Sequence, residues 1–420
     1  MSEFNFCETL AIGDELLTGK VTDTNSTFIA GELFQLGIRL HRSTVVADDE
    51  EEMIDALNTI AGRCKVAVVF GGLGPTSDDK TAAVVAKLIG AKLVQHAPSL
   101  TRLNQFMAER KREVTATNLK QVLYPDKGRA ILNPVGLAPA FCVQLKECRL
   151  YFMPGVPLEM KGIWNETVKK EVAELHHSSG AVSVKHHGWR LLGIPESEVQ
   201  RLMDPVEALL PKGAWLGYRT HFPENHLVLY VSSATAQADS VFQTFRVKIA
   251  PLVAPFVYSE QEKELEVLIH EALKEQKLTL ALAESCTGGL ASSRLTRYPG
   301  LSDHYWGSEV VYMRQAKNDL FGLGLTHDEQ TVSAETTQRL AEALFKKSQA
   351  SITAAITGYL GPTGGTAESP VGTVFTYVKK GNYGQGARFQ LALRDRERAQ
   401  WGAATYLFHE ILKSLRAGSQ

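Results

Sequence analysis

The sequence predicts an α/β protein: two α/β domains with mainly parallel sheets, joined by a small α+β unit. Three observations predict it. The first is "VAVVF" (Val66 to Phe70), a short, wholly apolar run of the kind a strand covered on both faces requires. The second is "LTLALA" followed by "ESCTGG", a second strand ending in a glycine turn. The third is a stretch near 180–256 with a different rhythm, two strand-like runs and one helix-like run.

Each element follows from its pattern. "EEEMIDALNTIAG" places Met53, Leu57, Ile60 and Ala61 on one helical face. "VAVVF" comes next, then the loop "GGLGPTSDDKT", then "AAVVAKLIG" as a helix. Helix, buried strand, glycine loop, helix is the order of a parallel α/β sheet. In the middle stretch, "VSVKHHGWRLLG" and "HLVLYVSS" read as strands and "AQADSVFQTFRVKIAPLV" as a helix. "APFVYSEQEKE" reads as a boundary. Beyond it Leu265, Leu268, Ile269, Ala272 and Leu273 keep helical spacing. "LTLALA", a helix, the strand "SITAAITG" and a last helix with Trp401, Leu407, Phe408, Ile411 and Leu415 complete the second α/β domain. Three segments result: 1–170, 171–258 and 259–420.

Composition narrows the function classes. A chain of 420 residues exceeds one ordinary domain, and 44% hydrophobic residues supply a core for each. A net charge of −1 gives no electrostatic case for nucleic acid or an anionic membrane. Cys7, Cys64, Cys142, Cys148 and Cys286 are scattered, with no CxxC pair, so neither a disulfide framework nor a zinc site is indicated. "MSEFNFCETL" lacks a basic and apolar leader pattern, and no apolar run approaches the roughly 20 residues of a membrane helix. A cytoplasmic location is expected.

The loop Gly71 to Thr81 follows a strand, where open α/β sheets bind ligands. Gly71, Gly72 and Gly74, with Thr76, allow backbone N–H groups to approach a phosphate. Asp78 and Asp79 would repel a bare phosphate unless a divalent cation lies between, and oxygen ligands suit such a cation. Two uses stay open at this point: a ligand loop, or a tight turn whose aspartates cap the next helix. "IGDELLTGKVTDTNS" adds Gly13, Asp14, Glu15, Asp23 and Asn25, and "VVADD" adds Asp48 and Asp49, all at probable strand ends.

"GDELLTG…DTN", "GGLGPTSDDKT", "NPVGLAPAF" and "MPGVPLEM", in that order, resemble the motif set of the CinA family. The resemblance implies an N-terminal domain related to molybdopterin-binding domains, with metal-dependent cleavage of the ADP-ribose pyrophosphate. It places Asp48 and Asp79 at the acidic catalytic positions. Asp78, Asp79 and Glu15 become the ligands of a divalent ion (Mg, Mn or Co), and Gly71, Gly72, Gly74 and Thr76 become substrate contacts. Asn133, Gly136 and Pro154 to Pro157 are further pocket loops. Ala47 stands where the family usually has glycine before the aspartate. The middle stretch resembles the KH-type subdomain of full-length CinA proteins. Its 180–256 core has no GxxG loop, the element that clamps nucleotides in KH domains, so no nucleic-acid role is carried over. "GYR" (Gly217 to Arg219) is its one feature of note.

"AESCTGG", "TGYLGPTGGT" and "SPVGTV" resemble the family's deamidase domain, which hydrolyses nicotinamide mononucleotide to nicotinic acid mononucleotide and ammonia without a cofactor. Amide hydrolysis needs a nucleophile, a base and oxyanion donors. The resemblance makes Ser285 the nucleophile. Thr287, Gly288 and Gly289 offer N–H groups to an oxyanion or a phosphate. No histidine lies in these motifs, and "VVYMRQAK" supplies Lys317 as base and Tyr312 as its orienting or relaying partner. Thr357 and Gly358 are expected beside the nicotinamide or ribose. The family's "YSNEAK" is "YMRQAK" here, and "GIAGP" is "GYLGP". "GDRxxVR" is "RDRERAQ", keeping Asp395 and Arg396 as a substrate contact but placing Gln400 at the second arginine, for which Arg314 or Arg398 could substitute. Cys286 reads as a small buried residue.

The expectation is a bifunctional pyridine-nucleotide recycling enzyme acting on nicotinamide mononucleotide and ADP-ribose, and the resemblance implies a homodimer. The competing class is a nucleotide- or molybdopterin-binding adaptor with an inactive deamidase half, serving a competence or damage response.

Overall fold

The computed structural model describes residues 5–327, 330–391 and 395–417. The chain divides into two compact units. One holds residues up to 186 with 211–214 and 230–242, and the other holds 187–210, 215–229 and the chain from 243 onward.

In the first unit, β1 (Cys7–Ile12), β2 (Leu40–Val46) and β3 (Val66–Phe70) run parallel. β4 (Leu93–Gln95) and β5 (Leu123–Pro125) form a separate antiparallel pair. β6 (Arg129–Ile131), β7 (Ala140–Leu145) and β8 (Cys148–Met153) complete the main sheet in the order β2-β1-β3-β8-β7-β6. β8 is parallel to β3, while β6 and β7 extend the sheet antiparallel. β1 and β3 are buried along their whole length because helices cover both faces. Ile29, Leu33, Met160 and Trp164 pack on one face, and Met53, Leu57, Ile60, Val84 and Val85 on the other. Glu8 is the one charge inside β1, and Arg63 grips it with two hydrogen bonds of 2.7 and 2.6 Å. Asp23 caps helix Thr24–Gln35 through the Ser26 amide, and Asp49 caps helix Glu50–Ala61 through the Glu51 and Glu52 amides. For these two acids, capping is the role the fold selects.

The middle stretch forms β9 (Val184–Leu192), β10 (Ala214–His221), β11 (Glu224–Ser232) and β12 (Val257–Ser259), ordered β10-β11-β9-β12, with helices Glu196–Glu207 and Ala238–Val253. Both predicted strands and the predicted helix are present, and Gly217 to Arg219 lie within β10. The division between the units passes through this sheet. Residue 170, set as a domain limit from sequence, lies inside helix Lys169–Ser179, which stops only at left-handed Gly180. Residue 258 lies inside β12.

In the second unit, β13 (Leu280–Glu284), β14 (Tyr305–Val310) and β15 (Ile352–Gly358) are parallel, and β16 (Thr373–Lys380) and β17 (Tyr383–Gln390) add an antiparallel hairpin. The order is β14-β13-β15-β16-β17. β13 is wholly buried between helices Leu265–Gln276, Leu290–Leu295 and Arg396–Arg416 on one face and helix Ala334–Ser348 on the other. β13 lies between its two parallel neighbours β14 and β15, and strand C-terminal ends of this kind carry ligand-binding turns.

Candidate functional site

β13 ends in Glu284, and Ser285 begins the turn. The Ser285 amide still donates to Ile356 O of β15 at 3.2 Å, so the serine is anchored as the last sheet-bonded residue. Gly288 and Gly289 (φ 63° and 96°) then reverse the chain into helix Leu290–Leu295. Lys317 comes from helix Arg314–Phe321 and reaches inward. Its Nζ lies 3.1 Å from Ser285 Oγ, 2.6 Å from Val311 O and 3.3 Å from Tyr312 O. Ser285 is 5% exposed and Lys317 is 1% exposed. Burial pushes the lysine down to about 8, since a charged ammonium loses hydration there. The same burial pushes the Cys286 thiol up to about 12, so Cys286 packs rather than reacts.

Other residues stand differently from the sequence expectation. The two glycines of the turn do not present their N–H groups to a ligand. Glu284, fully buried, takes the Gly289 and Ala291 amides at 3.0 and 3.1 Å and the Ser292 amide at 2.9 Å, while Gly288 N–H bonds Ser285 O. The Thr287 hydroxyl also donates to Glu284, at 2.8 Å. Glu284 thus caps the helix Leu290–Leu295. Thr357 is fully buried and its hydroxyl pairs with that of Thr337 at 2.7 Å, so it lies behind the site instead of lining it. Gly358 is tightly packed, since a Cβ there would stand 3.2 Å from Cys286 Sγ and 3.0 Å from Thr373 O. Tyr312 contributes its carbonyl to Lys317. Its phenol is exposed (61%) and accepts from Arg396, which also donates to Gly361 O. Gln400 donates to Cys286 O at 3.2 Å, Arg314 donates to Thr326 O, and Arg398 lies over the Phe222 ring.

In the first unit, strand ends and loops enclose a cleft of about 810 Å³ lined by Glu15, Asn25, Asp48, the Gly71 to Gly74 turn, Asp78 and Asp79. Gly71 is obligatory: its φ is 106°, and a Cβ would stand 2.2 Å from Ile12 O. Asp48 accepts the Asp14 amide at 3.0 Å. Burial, and then the charges of Asp14, Glu15 and Asp78, raise its carboxyl above the ordinary value, while the Asp14 amide opposes them. Asp79 is the brace of the glycine loop. It takes the Gly74 amide at 2.7 Å, the Thr76 amide at 2.8 Å and the Thr76 hydroxyl. Thr76 and Asp79 are thus partners of each other, whereas the sequence made them a substrate contact and a catalytic metal ligand. Among the described residues, no three His, Cys, Asp or Glu side chains converge tightly enough to hold a metal by themselves. Asp48, Asp78 and Glu15 line the same cleft without converging on one point.

The sequence reading passed over two organising residues. Glu284 was quoted within its motif, and a carboxylate beside a helix N-terminus is the available signal. Arg102 donates to Asn133 O at 2.7 Å and Pro134 O at 3.0 Å, holding the loop that the Asn133 side chain folds through the Val135 and Gly136 amides. Asn133 also donates to Glu159 at 2.7 Å. A lone arginine on an amphipathic helix carries no local signal of that role.

Fold and sites together define a class: a protein that couples an α/β domain with an acidic, glycine-looped cleft to a second α/β domain bearing a buried serine–lysine pair. Residues 8–174 match the model of a probable molybdopterin binding domain, and residues 262–415 match the CinA C-terminal domain. A CinA-like protein of Geobacter sp. (strain M21) is 37% identical over 375 residues, 87% of each chain, and one of Myxococcus xanthus is 33% identical over 414 residues, 98% of each. The crystal structure of a Thermoplasma acidophilum CinA protein of unknown function is 31% identical, with a TM-score of 0.37, covering 41% of this chain and 99% of that one. The chain belongs to the CinA family. Among the described residues, no helix is long and apolar enough to cross a membrane.

Proposed function

We propose that the second unit hydrolyses the carboxamide of nicotinamide mononucleotide through Ser285 and Lys317. One observation carries this reading: the Lys317 amine meets two carbonyl oxygens and one hydroxyl. A charged ammonium would donate to all three; in the neutral form that burial favours, the amine's two N–H groups go to Val311 O and Tyr312 O and its lone pair turns to Ser285. The lysine is then a base aimed at the serine.

The reaction follows. Ser285 Oγ attacks the carboxamide carbon as its proton passes to Lys317. The Thr287 amide, unlike the amides that Glu284 holds, is the turn donor we assign to the developing oxyanion. The C–N bond then breaks, and the lysine returns the proton to the departing ammonia. Water, deprotonated by the same lysine, hydrolyses the ester to the carboxylic acid and restores Ser285. Ammonia release is expected to fall at least 10³-fold in Ser285→Ala, since the nucleophile is lost while the lysine remains. Turnover surviving that change would overturn the reading.

For the first unit we propose hydrolysis of the ADP-ribose pyrophosphate to AMP and ribose 5-phosphate. Asp48, Asp78 and Glu15 would hold a divalent ion there, and when bound the ion would neutralise charge on the phosphoryl oxygens. Asp79 supports the reading by shaping the loop. Asp48→Asn is expected to lower AMP formation about 100-fold, within the range of single electrostatic groups. An unchanged rate of AMP formation removes Asp48 from the site.

A further inference from the structure

The carboxylate of Glu284 is saturated. Its Oε2 accepts from the Thr287 hydroxyl and the Gly289 and Ala291 amides, and its Oε1 from the Ser292 amide at 2.9 Å and the Ser308 hydroxyl at 3.0 Å. A carboxylate offers about four lone-pair sites, so five donors at 2.8–3.1 Å leave none for a ligand or metal. The five donors come from three places: the serine turn, the helix behind it, and β14 alongside. Glu284 adjoins the nucleophile in sequence and is fully buried, and the turn its carboxylate braces is the one that begins at Ser285.

The same contacts have an electrostatic consequence. A glycine turn leading into a helix ordinarily attracts anions, because its amides and the helix dipole point outward. Here the protein supplies the anion itself. An external phosphate would meet engaged amides and a negative charge.

We infer that Glu284 is the positioning residue of the nucleophile turn and that its carboxylate keeps phosphate off that turn, so the nucleotide's phosphate is held elsewhere in the site. This rests on the serine–lysine reading above. It predicts a KM-against-kcat split that a merely structural acid would not produce. Holding Ser285 against Lys317 matters to the chemical step, whereas a buried carboxylate with five donors is closed to substrate.

The full-length wild type and Glu284→Gln are compared in two ways. In the first, phenylmethanesulfonyl fluoride reports on Ser285: the serine oxygen displaces fluoride from sulfur as its proton leaves to Lys317. Labelling is expected to slow at least 10-fold in Glu284→Gln, and kcat for nicotinamide mononucleotide to fall similarly with KM within 3-fold. Inorganic phosphate, without effect on wild-type labelling, is expected to slow labelling of the variant, because a glutamine has one acceptor oxygen and frees turn amides. Equal labelling rates with no phosphate effect in either protein overturn the proposal.

In the second, hydrogen exchange is followed in peptides spanning 284–295. The amides of Gly289, Ala291 and Ser292 are expected to exchange at least 100-fold faster in the variant, with distant peptides unchanged. Unchanged exchange overturns the proposal. A wild type that neither labels nor turns over defeats the serine–lysine reading instead, and the exchange comparison still decides Glu284. Should Glu284→Gln fail to fold, Ser308→Ala removes one of the five donors, with labelling expected to slow 3- to 10-fold and an unchanged rate counting against the proposal.

Discussion

Lys317→Met is expected to abolish ammonia release from nicotinamide mononucleotide, by roughly 10³-fold, while the protein stays folded. A positioned base contributes about 10²–10⁴ to such a step, and methionine keeps the length and apolar stem of lysine without a proton acceptor. Stability gives a second signature. The folded lysine titrates near 8 because it is buried, while in the unfolded chain it keeps its proton to about 10.5. Between those values the unfolded state binds more protons, so the wild type gains stability as pH rises through that window. The stability of the wild type relative to Lys317→Met is therefore expected to increase by about 3 kcal/mol from pH 7 to pH 10.5. Denaturant unfolding at several pH values measures it. A difference that stays flat, or falls with pH, contradicts a buried, depressed lysine.

Arg294→Met is expected to destabilise the second unit strongly. Arg294 is 2% exposed and donates to Glu266 at 2.7 Å, to Thr405 at 2.9 Å and to Trp401 O at 3.1 Å. Its guanidinium also lies 3.9 Å from the Trp401 ring centre and 4.9 Å from that of Phe408. It thus ties helix Leu290–Leu295, directly behind the serine turn, to helices Leu265–Gln276 and Arg396–Arg416. Removing one partner leaves the Glu266 charge buried alone, which costs about 3–5 kcal/mol. For a unit of this size that corresponds to a fall of roughly 10 °C in its thermal transition. The double variant Arg294→Met with Glu266→Met is expected to recover most of the loss, since it leaves no orphaned charge. A single variant within 2 °C of the wild type would contradict this role for the pair.

Much of the fold was legible because burial leaves a mark on sequence. "VAVVF" and "LTLALA" announce strands covered on both sides, and the glycine turns behind them announce the ends where sites form. The serine–lysine pairing was legible only through motif resemblance. By spacing alone, Lys317 is one more lysine at a helix start, and only the fold brings it among Ser285, Val311 O and Tyr312 O. What escaped was side-chain commitment. Asp79 reads as a metal ligand until its partners are seen to be Gly74 and Thr76, and the Gly289 amide reads as an oxyanion donor until Glu284 is seen to hold it. A hydrogen-bond donor has no fixed partner in sequence. Folding chooses among several nearby acceptors within an ångström, and that choice separates a cap from a ligand.

The most direct test is the pH dependence of kcat/KM for ammonia release from nicotinamide mononucleotide by the wild-type protein. With neutral Lys317 as the base for Ser285, the rate rises through a midpoint near pH 8 and levels above it. A rate independent of pH from 6.5 to 9.5, or no ammonia at any pH, contradicts the account, and absence of turnover together with tight nucleotide binding would make the protein an adaptor rather than an amidase.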